Sequence, residues 1–205
     1  MRVFGLEQVG SSGALLVESL QHGKAGALAE LVHKYQRRIY RIAMQITRNH
    51  EDASDVTQET FLKVYESIYS LRRKAAFETW IYRIAVNKAT NVVKRRDRRC
   101  ESSLSTICED DAHFGFRWNA DLIDVPHLHV EKQELQKIVT RAVDSLSLKH
   151  RTVVVLYEFE GLTHVEIASV LGCSEGTVRS RLYYARKQLR DRLKTYIEPI
   201  SVELK

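Results

Sequence analysis

The chain has 205 residues, 44% of them hydrophobic, which is enough for one domain or two small ones with packed cores. Its formal net charge of +6 suits a polyanionic partner, although many soluble proteins are mildly basic. Three cysteines do not make a disulfide framework, and neither a signal-peptide pattern nor an apolar run of roughly 20 residues stands out, so we expect a cytoplasmic protein without membrane insertion. The low content of proline (2) and glycine (9) favours an all-helical fold.

The first half of the chain carries apolar residues at three- and four-residue steps, which predict amphipathic helices. We expect a loose lead-in at residues 1–12, followed by helices at residues 14–21, 24–48, 51–70 and 77–99. Tyr82 is expected on the outer side of the fourth helix, away from its inward apolar stripe.

The third predicted helix has a polar, acidic outer surface formed by Asp52, Asp55, Gln58 and Glu59. Carboxylates in the first helical turn balance the helix dipole, which explains Asp52. Asp55 and Glu59 lie a full turn or more further along, where the dipole gives no such reason. The four residues therefore favour a docking face for a basic protein surface.

Basic residues flank the fourth predicted helix. The preceding loop contains Arg72, Arg73 and Lys74, and the helix ends in a basic cluster that begins at Lys94. Cations at a helix C-terminus are favourable through the dipole alone, which is the alternative explanation of the cluster. Together with the aromatic residues of the helix, the loop and the cluster favour contact with nucleic acid, because aromatic faces stack unpaired bases while lysine and arginine follow the backbone.

Residues 100–130 are acidic and are interrupted by serines and one proline, which predicts an extended or disordered linker. The aromatic patch at residues 113–118 has two explanations that the residues leave open: a docking motif, or a segment that folds back onto a neighbouring domain. Beyond the linker, apolar stripes predict helices at residues 131–146 and 149–160.

The last part of the chain is predicted to form a helix-turn-helix. Thr163 and Glu166 make a capping box for a short first helix. Gly172 suits the left-handed position that ends this helix, and Ser174 caps a second helix that continues to about Pro199.

The second helix of this hairpin is basic and polar on its exposed side. A glycine in its first turn would let the backbone approach a phosphate at the positive end of the helix dipole. This pattern is typical of a recognition helix that enters the major groove, and a solvated basic face on an ordinary hairpin is the alternative. The candidate DNA-binding residues are Gly176, Thr177, Arg179, Ser180, Arg181, Tyr183, Tyr184 and Arg186.

Three segments, in this order, resemble a bacterial RNA polymerase sigma factor of the extracytoplasmic-function (ECF) class. The family segment that docks on the polymerase clamp is similar to HEDASDVTQETFLKVYESI at residues 50–68. The segment that opens and reads the −10 element is similar to FETWIYRIAVNKATNVVKRRDR at residues 77–98, and the −35 reader resembles residues 146–193. The resemblance implies an all-α fold of two small helical domains joined by a flexible linker. These would be a four-helix bundle like sigma region 2 at residues 1–99, the acidic linker at 100–130, and a helix-turn-helix domain like sigma region 4 at 131–205.

By this resemblance the protein is a transcription initiation factor that directs core RNA polymerase to specific promoters, with no catalytic residue, metal, cofactor or small-molecule substrate. Its partners would be core RNA polymerase, through the clamp helices and flap of the large subunits, promoter DNA, and an anti-sigma factor. Asp52, Asp55 and the neighbouring Gln58 and Glu59 would contact the clamp helices. The residues that would capture unstacked −10 bases are Arg72, Arg73, Lys74, Phe77, Trp80, Arg83, Asn87 and Lys94.

Tyr184 departs from the family pattern, because many members carry an arginine at this place in the −35 reader. Tyrosine cannot make a bidentate contact to guanine. The resemblance therefore does not imply which −35 sequence this chain prefers.

Two other classes of protein compete with this interpretation. A free-standing repressor or activator would explain the helix-turn-helix but not the four preceding helices, and co-purification with core polymerase separates the two. A metal or redox enzyme would use Cys100, Cys108 and His113, but their spacing fits no structural zinc pattern, and no phosphate loop or nucleophile elbow is present. Redox sensing by Cys100 and Cys108 stays open, whereas Cys173 is expected to be a small core residue of the turn.

Overall fold

A computed structural model describes residues 9–71, 73, 76–102 and 129–202, and every regular element within these ranges is helical. A 3-10 turn at Ile68–Ser70 follows α3, and a π-helical segment at Val155–Phe159 follows α6. No helix in the described ranges is long and apolar enough to cross a membrane. The helices are α1 (Val9–Gln21), α2 (Ala27–Thr47), α3 (His50–Ser67), α4 (Phe77–Ser102), α5 (His129–Asp144), α6 (Leu148–Val154), α7 (His164–Leu171) and α8 (Glu175–Val202).

Helices α1 to α4 form the N-terminal unit, in which α2, α3 and α4 pack around a shared apolar core. Helix α2 ends because Arg48 adopts a left-handed conformation with φ 59°. Asn49 then caps α3, since its side-chain oxygen accepts the backbone N–H of Asp52 at 2.9 Å. The side of α3 opposite its acidic surface is apolar and buried, including Val56 and Val64.

Several element boundaries differ from the prediction. Helix α1 begins at Val9, within the expected loose lead-in, and α3 gives way to a 3-10 turn at Ile68. Helix α4 continues to Ser102 because nothing in its basic end breaks a helix. Helix α8 continues to Val202, past the proline at residue 199 where the helix was expected to end.

Helices α5 to α8 form the C-terminal unit, and the predicted helix-turn-helix is confirmed there as α7 and α8. Thr163 Oγ1 accepts the N–H of Glu166 at 3.3 Å, while Glu166 Oε2 accepts the N–H of Thr163 at 2.8 Å. Gly172 ends α7 with φ 62°, in the region where a side chain would be strained. Ser174 Oγ accepts the N–H of Thr177 at 3.2 Å and caps α8.

The π-helical segment between α6 and α7 was not predicted. Its wider turn is visible in the bond from the N–H of Glu160 to the carbonyl of Val155 at 3.1 Å, one residue further back than in an α-helix. The apolar spacing of this stretch fits an α-helix equally well, so the sequence pattern does not reveal the change.

The two units pack directly against each other, although the sequence pattern gave no reason to expect contact. One continuous apolar core runs from Val17 in α1 to Ala185 in α8, and α7 lies against α4. The central part of the predicted linker, residues 103–128 with Cys108 and the aromatic patch, lies outside the described residues.

Candidate docking and nucleic-acid surfaces

The acidic side of α3 faces solvent. Asp55, Gln58 and Glu59 are exposed and Asp52 is half-buried, because the opposite, apolar side of the helix packs toward α2 and α4. The four residues predicted to dock a protein partner therefore lie together on one accessible face.

Two carboxylates of this face have cationic neighbours on α4. Lys88 Nζ lies 2.7 Å from Glu59 Oε2, and Arg96 Nη1 lies 3.6 Å from Asp52 Oδ2. Exposed ion pairs of this kind contribute little, about 0–1 kcal/mol each, so a basic partner surface would displace them at small cost. The Glu59 side chain remains 58% exposed despite its pairing.

Exposed apolar residues that were not predicted from the sequence continue the same side of α3. Leu62 is 63% exposed and Tyr65 is 56% exposed, one and two helical turns beyond Gln58. Large apolar side chains that are exposed beside a charged face make this side of α3 a candidate interaction surface. Their spacing from Glu59 places them on the same side of the helix and could have indicated this surface, but a single exposed leucine is common.

Polar candidates for nucleic-acid binding lie along one side of α4. Arg83, Asn87 and Lys94 are exposed, and their separations of four and seven residues place them on the same helical face. Trp80 precedes them by one turn, half-buried, with its ring centroid 5.9 Å from that of Phe77. This face combines an aromatic plane, two cations and one amide group in line.

The structure changes the interpretation of Phe77. It was expected to contact DNA, but it is 1% exposed and its ring packs edge-on to Tyr35 at 5.4 Å between centroids. Phe77 therefore belongs to the core, where it supports Trp80 from beneath rather than touching a base.

The prediction that Tyr82 lies on the outer side of α4 is also wrong, because Tyr82 lies in the core. It is fully buried, and the Arg38 guanidinium lies 5.2 Å from its ring centroid. Burial raises the pKa of the Tyr82 hydroxyl above its ordinary value.

The basic residues of the loop before α4 and of the end of α4 do not all have the same role. Arg73 is exposed, while Arg72 and Lys74 lie outside the described residues. Arg96 donates to the carbonyl of Thr47 at 3.1 Å and so holds the end of α2. Part of the cluster that favoured nucleic acid is therefore structural.

The first turn of α8 is an exposed helix N-terminus. A side-chain carbon at Gly176 would meet only Ser174 Oγ, at 3.8 Å, so the fold itself does not require glycine there. The hydroxyl of Thr177 lies 2.9 Å from Ser174 Oγ and belongs to the cap. Space beside Gly176 thus remains open to an external group such as a phosphate.

Two of the candidate arginines of α8 have carboxylate partners. Arg179 Nη2 lies 3.1 Å from Glu175 Oε2. Arg186 Nη2 lies 2.7 Å from Glu158 Oε1 and its guanidinium sits 5.1 Å from the Tyr157 ring centroid. Hydrogen bonding to Glu158 raises the pKa of Arg186, which stays charged at any physiological pH.

Tyr183 and Tyr184 are the large exposed aromatic side chains on the first half of α8. They are 66% and 53% exposed, and their rings meet edge to face with centroids 5.4 Å apart. Ser180 is exposed beside them and Arg181 is half-buried. The recognition helix therefore presents an aromatic pair together with its charges.

Charged residues between the two units were missed by the sequence analysis. Arg151 is 2% exposed and donates to the carbonyl of Ile46 at 2.8 Å. Burial, and then repulsion from Arg48, lower the pKa of Arg151 to about 10. In the sequence, Arg151 is a cation just before an apolar run, and the periodicity of a single helix assigns such a residue to solvent.

Within the described residues, no cluster of three or more His, Cys, Asp or Glu could hold a metal ion.

Comparison with protein families finds two matches in the order of the two units. The family model for sigma-70 region 2 matches residues 31–99, and that for sigma-70 region 4 matches residues 136–189. These ranges contain every residue predicted to contact polymerase or DNA.

Curated relatives match almost the whole chain. An ECF RNA polymerase sigma-E factor of Haemophilus influenzae is 36% identical over 179 residues, which cover 87% of this chain and 93% of the relative. The RNA polymerase sigma-H factor of Pseudomonas aeruginosa is 38% identical over 176 residues, covering 85% and 90%.

Solved structures show the same fold at lower identity. The sigma factor RpoE in complex with the anti-sigma factor NepR, from Bartonella quintana, aligns with a TM-score of 0.65 and 20% identity over 83% of this chain and 98% of that one. CnrH in complex with the cytosolic domain of CnrY aligns with a TM-score of 0.64 and 21% identity over 90% and 98%.

Proposed function

The chain belongs to the ECF class of the sigma-70 family of RNA polymerase sigma factors, and from that premise we propose how it recognises polymerase and promoter. Members of this family are transcription initiation factors that recognise promoters and are not enzymes. In this proposal, the N-terminal unit (residues 1–99) docks on core polymerase and captures −10 bases, while the C-terminal unit (residues 131–205) reads the −35 element.

The observation that carries the docking proposal is the exposure of Asp55 and Glu59 on α3. The clamp helices of the largest polymerase subunits are the proposed partner, with the flap of the large subunits holding the C-terminal unit. Leu62 and Tyr65 add apolar area next to the carboxylates, which suits an interface with an apolar centre and a charged rim.

The exposed face of α4 supports the proposed −10 contact. Once a base leaves the stack, Trp80 offers an aromatic surface, while Arg83 and Lys94 follow the phosphates and Asn87 can hydrogen-bond a base edge. Holding unstacked bases offsets an opening cost of a few kcal/mol, so melting needs no nucleotide hydrolysis.

The geometry of α7 and α8 supports the proposed −35 contact. A helix-turn-helix inserts its second helix into the major groove with the N-terminal residues against base edges. Ser180, Tyr183 and Tyr184 are exposed there, and Arg179 and Arg186 would exchange their carboxylate partners for phosphate or base acceptors. An anti-sigma factor is proposed as a further partner, by analogy with the sigma factor RpoE, which was solved in complex with the anti-sigma factor NepR.

Charge reversal on α3 tests the docking proposal. Asp55→Lys places a cation against a basic surface, and we expect the affinity for core polymerase to fall about tenfold or more, because a like-charge contact costs several kcal/mol. The measurement is binding of the full-length chain to purified core polymerase by fluorescence anisotropy.

Glu30→Lys is the matched control, since it makes the same charge change at an exposed position on α2. Equal affinity of the Asp55→Lys chain and the unmodified chain would exclude α3 as the docking face.

A further inference from the structure

Two neighbouring tyrosines lie on the outer side of α8, where the packing of the protein does not require them. Tyr183 is 66% exposed and Tyr184 is 53% exposed. The side of α8 that faces the core is fixed by three buried residues at three- and four-residue steps: Val178, Leu182 and Ala185. Both tyrosines lie away from that side, so the core gives no reason for two large rings at these positions.

The rings of Tyr183 and Tyr184 constrain each other. Their centroids lie 5.4 Å apart and the ring planes meet at 77°. This edge-to-face arrangement is favourable between aromatic side chains, so each ring restricts the rotation of the other. The pair therefore presents an apolar surface whose orientation is already set before a partner binds, which lowers the entropy cost of binding.

The two rings belong to different rows of the helix, because residues four or seven positions apart lie on the same side. The row of Tyr183 contains a glycine and three cations: Gly176, Arg179, Lys187 and Arg190. The row of Tyr184 contains polar residues and no cation: Thr177, Ser180, Gln188 and Asp191. In duplex DNA, phosphates border the base edges of the major groove. The row of Tyr183 therefore suits phosphates, and the row of Tyr184 suits base edges.

The chemistry of a tyrosine favours one base edge over the others. In the major groove, guanine, cytosine and adenine present only hydrogen-bond donors and acceptors, whereas thymine also presents its C5-methyl group. The single hydroxyl of Tyr184 cannot make the bidentate contact that an arginine makes to guanine. Its ring carbons can cover a methyl group instead, and removing both apolar surfaces from water is favourable. Thymine is therefore the base that complements Tyr184 best.

We propose that Tyr184, held in place by Tyr183, reads the C5-methyl group of a thymine in the −35 element. The chain then prefers a T·A pair at the position where an arginine in the same place would prefer guanine. The inference rests on the proposed function, because α8 must enter the major groove for the ring to meet a base. It adds to that function the chemical group that the helix recognises.

Deoxyuridine tests this contact, because it differs from thymidine only in lacking the methyl group. Complexes of the full-length chain with core polymerase first select duplexes from a pool with a randomised −35 region. The selected duplex is then remade with deoxyuridine in place of each −35 thymine in turn, on either strand, and the affinity of the complex is measured. At one position we expect the affinity to fall about fourfold, which is the effect of one buried carbon group.

Three variants assign the effect to the ring. Tyr184→Ala should bind the thymine and uracil duplexes equally at that position, because the ring is absent. Tyr184→Phe lacks only the hydroxyl and should keep the fourfold ratio, which separates an apolar contact from a hydrogen bond. Tyr183→Ala removes the neighbouring ring and should give an intermediate ratio. Tyr196→Ala makes the same change at a tyrosine that is 49% exposed further along α8, and should keep the full ratio.

The outcomes separate this inference from the proposed function. If the selected −35 sequence contains no thymine, if no thymine is sensitive to loss of its methyl group, or if Tyr184→Ala keeps the ratio of the unmodified chain, the inference is wrong and the −35 contact stands. An unchanged ratio in Tyr183→Ala would contradict the supporting role of that ring. If the complexes select no −35 sequence at all, the proposed −35 contact is overturned, and the inference with it.

Discussion

The hydroxyl of Tyr82 is buried without a hydrogen-bond partner among the residues that the structure describes. A buried polar group left unsatisfied costs about 1–3 kcal/mol. Tyr82→Phe removes that group and keeps the ring beside Arg38, so we expect the free energy of unfolding to rise by about 1 kcal/mol. Urea denaturation measures the change.

Tyr35→Phe is the contrasting control. Tyr35 donates its hydroxyl hydrogen to Glu78 Oε1 at 2.9 Å, a bond to a charged group whose loss should lower stability. A fall in stability for Tyr82→Phe as well would show that the Tyr82 hydroxyl has a partner after all.

Tyr184 is the residue whose chemistry departs most from a guanine-reading helix. Tyr184→Arg would provide a bidentate donor to guanine, worth about 1–3 kcal/mol of discrimination at one base pair. We expect the polymerase complex of this variant to select guanine at a −35 position where the unmodified chain does not. Selection from randomised −35 duplexes measures the preference.

Gln188→Arg controls for added charge, since it lies exposed one turn further along α8. It should strengthen binding without changing the selected sequence. An unchanged sequence preference in Tyr184→Arg would argue that this position faces the backbone or solvent in the complex.

At the scale of elements, α7 has only eight residues and depends on its capping box. Thr163→Ala leaves the N–H of Glu166 without its side-chain acceptor, and we expect a loss of about 1 kcal/mol in the free energy of unfolding. Thr163→Ser keeps the hydroxyl and should retain most of the stability, as measured by thermal denaturation. Equal stability of all three chains would mean that packing of α7 on α8 and α4 makes the cap unnecessary.

Local chemistry explains which elements the sequence predicted well. The capping box at Thr163 and the left-handed Gly172 involve residues within a few positions of each other, so they can be predicted from spacing alone. The π-helical segment at Val155–Phe159 has no such signature, because the same apolar pattern fits both helix types.

At the scale of the whole molecule, the sequence predicted two helical units but not their contact. Glu160 and Arg38 are 122 positions apart, and nothing in either neighbourhood indicates that they meet. The burial of Phe77 and Tyr82 has the same origin, since both depend on which side of α4 its neighbours cover. The candidate surfaces on α3 and α8 were predictable because exposed charged stripes follow from helical periodicity.

The central claim is that one chain directs core polymerase by two separate DNA contacts. The most direct measurement is transcription of fragmented bacterial genomic DNA by purified core polymerase with and without the chain, followed by mapping of transcript 5′ ends. We predict new start sites that appear only with the chain and share two sequence elements about 25 base pairs apart, about two and a half turns of duplex. New starts that share a single element, or no new starts at all, would contradict the claim.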